Sequence, residues 1–161
     1  MRIVIWGKPH RGKTVFLVAL KHMLPRNQTM PIAAAPDGGD LADYLQKLYK
    51  ESPLTVEKYR HKGSFNGEFV KWAAQTVRNC TSRFALIDVG GRISEENRTI
   101  CREADAVIIL AANDEEVREW EAFAAELKLR ILAVVYSTLE SVEEWSKVDG
   151  GRFVGLCTNL D

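Results

Sequence analysis

Short apolar runs and amphipathic stretches alternate along this chain almost without a break. Residues 2–6, 30–35, 84–89, 106–111, 131–136 and 153–157 are continuous apolar runs rather than alternating ones. Strands with that pattern are covered on both faces, as in a mostly parallel sheet. Between them, residues 14–24, 40–50, 68–79, 94–103, 115–127 and 139–148 read as helices. On 68–79, for instance, Phe69, Trp72, Ala73, Thr76 and Val77 share one side. Punctuation agrees with the periods: Pro25 ends the first helix, Pro36-Asp37-Gly38-Gly39 closes the second strand, and Asp40 and Ser94 are placed as N-caps. The expectation is an α/β fold, a mostly parallel sheet of about six strands with helices on both faces. Residues 51–67 are polar and poorly periodic, and carry Lys58, Arg60, His61 and Lys62; they read as a lid or insertion in a single domain spanning 1–161.

Composition narrows the class without choosing a function. At 161 residues, 46% hydrophobic and 27% charged, the chain can bury one proper core. Its 22 basic and 22 acidic residues balance, so no global field points to nucleic acid or a membrane surface. Cys80, Cys101 and Cys157 are widely spaced, with no Cys-x-x-Cys pair, and the histidines form no metal-ligand cluster. With no leader-like opening and no run near the ~20 apolar residues of a membrane span, a cytoplasmic protein is expected.

The chemistry gathers after the first strand. GKPHRGKT, residues 7 to 14, sets Gly-x4-Gly-Lys-Thr between a buried strand and a helix. Gly7 and Gly12 free the backbone to turn successive N–H groups toward a phosphate, and the helix adds its positive end. Lys13 would reach the outer phosphates, and the Thr14 hydroxyl would ligate Mg²⁺. A second motif, LIDVGG, puts Asp88 at the carboxyl end of a buried strand, where it can hold a magnesium-bound water or the Thr14 hydroxyl. Gly90 and Gly91 then let a backbone N–H approach the γ-phosphate.

These two stretches resemble the Walker A and Walker B motifs of P-loop NTPases. RecA-like and AAA+ members carry a glutamate beside the Walker B aspartate, whereas here Val89 follows Asp88 and the next acids are Glu95 and Glu96. Asp88 to Gly91 instead resembles the kinase–GTPase division, which implies that the Walker B strand pairs directly with the P-loop strand. Lys8 falls where MinD/ParA-like ATPases have a signature lysine; the resemblance implies a reach across a homodimer to the other subunit's nucleotide. Pro9 and His10 stand where those ATPases have two glycines, which leaves a solvated loop lysine as the other reading. Asp37, in the turn after the second strand, matches the region where small kinases keep a base and MinD-like ATPases a water-positioning aspartate; it is also good turn chemistry. A further likeness, over residues 84–136 with IDVGGRISEEN, READAVIILA and EWEAFAAELKL, is to the ATPase-like domain fused to ring nucleases of type III CRISPR systems. It implies a fused or partner nuclease domain.

Base recognition is less well marked. A GTPase would show Asn-Lys-x-Asp; CTNLD at the end of the chain offers only Asn159 and Asp161, so ATP is favoured over GTP. Three readings follow. The first is a Mg²⁺-dependent nucleotide-binding domain with slow hydrolysis and a regulatory or assembly role, with Arg92 the nearest cis arginine. The second is a small-molecule or nucleotide kinase using Asp37 and the 51–67 lid. The third is a non-catalytic interaction module, with Trp120 and Trp145 as docking candidates.

Overall fold

A computed structural model describes residues 1–35, 41, 66–140 and 142–160. The expected cap Asp40, the 40–50 helix beyond Leu41, Asp37, Asp161 and nearly all of the 51–67 segment lie outside the described residues.

Among the described residues seven strands form one sheet: β1 (Arg2–Trp6), β2 (Thr29–Ala33), β3 (Phe84–Asp88), β4 (Ala106–Ala111), β5 (Arg130–Thr138), β6 (Trp145–Asp149) and β7 (Arg152–Thr158). Their spatial order is β2-β3-β1-β4-β5-β7-β6, and every pairing is parallel except β6 with β7. Among the described residues four α-helices of more than one turn accompany them: α1 (Lys13–Met23), α2 (Gly67–Asn79), α3 (Glu95–Cys101) and α4 (Asp114–Leu127). Three start at polar caps. Asn66, Ser94 and Asn113 each accept a backbone N–H with their side chain.

The continuous apolar runs are explained by two cores, one on each face of the sheet. In β1, Ile3 and Ile5 face α1 and pack with Leu17, Val18, Leu86 and Leu110. Val4 and Trp6 face the other way and join Val77, Ile100, Trp120 and Phe123 from α2, α3 and α4. A strand side chain alternates faces, so a strand buried on both sides has no polar position to spare. Trp6 stacks on Phe123 at 4.8 Å and tilts against Trp120 at 5.4 Å. Trp120 is therefore core, not a docking residue.

One element departs from expectation. The described residues of 139–148 are not helical; β6 occupies the end of that stretch and pairs antiparallel with β7. Leu139, Val142, Trp145 and Val148 recur every third residue, which imitates a helix face, yet all four are exposed. The deciding signal is Gly150-Gly151, flanked by the pair Asp149↔Arg152. Both glycines have positive φ, +58° and +78°, as a tight two-residue hairpin turn requires. The expectation of about six strands thus rises to seven, and no described helix lies over Val148 and Phe153, which are 68% and 64% exposed.

Candidate functional site

The carboxyl ends of β1, β3 and β4 lie side by side, because β3 and β4 flank β1 in the same direction. The loop after each strand therefore opens at one edge of the sheet, the edge where parallel α/β sheets take ligands. β3 pairs directly with β1, with Asp88 in register with Ile5, as the kinase–GTPase resemblance implies.

The loop of residues 7 to 14 is shaped by contacts a side chain could not survive. Gly12 has φ +70°, and a Cβ there would sit 2.0 Å from the carbonyl oxygen of Leu160. α1 then starts at Lys13 with Gly12 as its N-cap, and glycine has no side chain with which to cap those N–H groups. Lys13 Nζ donates to the carbonyl oxygen of Lys8 at 3.0 Å, so its ammonium spans the loop. His10 takes φ +61°, a conformation that disfavours residues with a Cβ.

Asp88 is 6% exposed, and its Oδ2 accepts a hydrogen bond from the Thr14 hydroxyl at 2.8 Å. That contact brings together two residues 74 positions apart that were singled out separately in the sequence. Both are hard oxygen donors, the chemistry that suits Mg²⁺. Gly91 lies against the loop of residues 7 to 14: a Cβ at that position would meet Pro9 N at 2.7 Å and Lys8 C at 3.0 Å. The two motifs thus meet, through the Thr14–Asp88 hydrogen bond and the approach of Gly91 to Pro9 and Lys8.

Two residues that sequence reasoning missed hold these loops. Asn97, 2% exposed on α3, donates its amide to the carbonyl oxygens of Gly90 at 2.9 Å and Arg92 at 2.7 Å, fixing the turn after Asp88. Glu116 on α4 accepts from Arg11 Nη2 at 2.8 Å and Nε at 3.1 Å, and from the backbone N–H of Ala112 at 2.9 Å. The Arg11 guanidinium, more than any other group, holds the Glu116 carboxyl below the usual carboxylate range. Asn113-x-x-Glu116 is a visible helix-start pattern, but nothing in it tells that the glutamate faces an arginine 105 positions away.

Lys8 turns its side chain toward α4. Its ammonium lies 3.1 Å from Glu119 and 4.0 Å from Glu116. At the far side, the residues after β7 abut Gly12 through Leu160, and Asn159 donates its backbone N–H to the Thr138 carbonyl oxygen at 3.1 Å. Leu160 therefore borders the loop of residues 7 to 14. Arg92 is exposed.

No protein-family model and no curated sequence matches the chain. Solved structures do. The septum site-determining protein MinD of Pyrococcus horikoshii, complexed with Mg-ADP, superposes with a TM-score of 0.59 at 14% identity, over 89% of this chain and 73% of that one. A plasmid partition protein of Borrelia burgdorferi bound to AMPPNP gives 0.58 at 12% identity, over 88% and 76%. The signal recognition particle receptor FtsY of Elizabethkingia anophelis, with GDP, gives 0.57 at 16%, over 87% of this chain and 49% of the receptor. The chain thus spans about half the length of that receptor. Sheet, strand order and loop define the P-loop NTPase type of α/β fold. Within it, the chain is similar to MinD, plasmid-partition and FtsY proteins.

Proposed function

We propose that this chain binds a magnesium–nucleoside triphosphate, ATP in preference to GTP, hydrolyses it slowly and acts as a regulatory or assembly ATPase. The observation that carries the reading is the 2.8 Å contact between Thr14 and Asp88 beside a glycine loop spanned by Lys13. A hydroxyl and a buried carboxylate at the start of an uncapped helix are suited to a triphosphate and its cation. The loop amides and the end of α1 would bind the β-phosphate. Lys13 would exchange the Lys8 carbonyl for phosphate oxygens, a charge-assisted bond stronger than the neutral one it replaces. Thr14 and Asp88 would hold Mg²⁺, which supplies charge neutralisation when bound. Gly91, kept bare against Pro9 and Lys8, would let the turn after Asp88 approach the γ-phosphate. Asp37 would take the water-positioning or base role, a reading supported by its sequence position and the resemblance to small kinases and MinD-like ATPases.

Adenine is favoured because the chain has no Asn-Lys-x-Asp stretch, and because the MinD and plasmid-partition structures carry adenine nucleotides. Slow turnover is favoured because the residues around Asp88 include no second carboxylate of the RecA type. A cytoplasmic location and a nuclease domain as the controlled partner complete the reading; the second comes from the 84–136 resemblance. Incubation with γ-labelled ATP tests it: slow release of free phosphate is expected. Label transferred to a small-molecule acceptor would replace the ATPase reading with a kinase, and tight binding without turnover would leave an interaction module.

A further inference from the structure

Glu116 is buried at 6% exposure, and both its oxygens are engaged. A buried carboxylate is costly unless its bonds are complete. Here they run to two places: the Ala112 N–H at the end of β4, and the forked guanidinium of Arg11 in the phosphate loop. Helix capping alone does not call for this arrangement, because Asn113 already accepts the Glu116 backbone N–H at 3.0 Å. The loop, in contrast, needs an outside support. Arg11 sits between His10 at φ +61° and Gly12 at φ +70°, so both its neighbours are left-handed and one of them carries a Cβ. Such a backbone persists only where its surroundings over-determine it. A bidentate arginine–carboxylate pair fixes both distance and orientation.

We propose that Glu116 is a positioning residue for the phosphate loop, acting through Arg11, and that Arg11 is a strut rather than a phosphate ligand. Lys8, paired with Glu119 at 3.1 Å, is a second and weaker tie to the same helix. The proposal rests on the nucleotide-binding reading above.

Signs of effect separate a strut from a field. Arg11→Gln removes a positive charge near the phosphates and Glu116→Gln removes a negative one. Acting through charge alone, the first variant would weaken nucleotide binding and the second would tighten it. As a strut, both weaken it, and the double variant is no weaker than either single one. Calorimetric titration of the wild type and the three variants with ATP and Mg²⁺ is expected to show losses of about 10-fold for each, without additivity. Opposite signs, additive losses or unchanged affinities overturn the proposal. Amide hydrogen exchange over residues 7–13 of the nucleotide-free proteins is the second readout. Faster exchange in both single variants is expected, and unchanged exchange in either overturns the strut. If the wild type binds no ATP, the nucleotide reading fails while the exchange measurement still decides the strut. If Glu116→Gln does not fold, Arg11→Gln carries the exchange test, since the arginine is partly exposed.

Discussion

Single residues decide whether this edge of the sheet is a site or only a turn. Asp88 could be an ordinary strand-ending aspartate, but its Oδ2 takes the Thr14 hydroxyl at 2.8 Å. Asp88→Asn is expected to lower the magnesium dependence of binding more than nucleotide affinity itself, because the loop amides hold the phosphates. Titrations with and without Mg²⁺ check this, and a wild-type magnesium response would reduce Asp88 to a structural role. Gly91→Ala forces a methyl into the Pro9 and Lys8 backbone, with contacts of 2.7 and 3.0 Å. A loss of roughly 10-fold or more in nucleotide affinity is expected from the displaced loop. These residues were legible in the sequence because glycine, lysine and threonine at fixed offsets state a backbone geometry. Asn97 and Glu116 were not, because their partners are Gly90, Arg92 and Arg11, and only folding brings those together.

Elements read well wherever one period dominated. β1 and β4 fall on the apolar runs residue for residue, and the expected cap Ser94 begins α3. The 139–148 stretch misled because its apolar residues recur every third position while Gly150-Gly151, the stronger signal, lies just beyond. The hairpin account makes its own demand. Both glycines sit at positive φ, so Gly150→Ala or Gly151→Ala should cost about 1 kcal/mol each and lower the thermal midpoint. Thermal unfolding by circular dichroism measures it; unchanged midpoints in both variants would contradict the turn. Nothing comparable applies at Gly67, where a Cβ meets no neighbour within 4 Å.

For the molecule as a whole, ion pairs tie strand ends, loops and helices together, and acid should loosen them together. Arg78, Arg2 and Arg11 hold Glu103, Asp105 and Glu116 below the usual carboxylate range, in each case chiefly by hydrogen bonding. Groups with lowered folded-state pKa stabilise the fold above their unfolded value, about 4, and that stability fades as pH falls through the folded value. Thermal midpoints should therefore hold above about pH 5 and drop below about pH 4; a midpoint that rises on acidification would reverse the sign. Association is the other property at this scale. If Lys8 leaves Glu119 to serve a second copy's nucleotide, a slowly hydrolysed ATP analogue should drive dimerisation in the wild type and not in Lys8→Ala. Sedimentation shows it, and a wild type that stays monomeric at saturating nucleotide makes Lys8 a tie to α4 alone. The central claim, a triphosphate held in the loop of residues 7 to 14, has a more direct test. Calorimetric titration with ATP and Mg²⁺ should give saturable binding to the wild type and a loss of roughly 100-fold in Lys13→Ala, whose thermal midpoint should stay close to the wild type's because Lys13 lies outside the core. Equal affinity in the two proteins, or no binding to the wild type, would contradict the account.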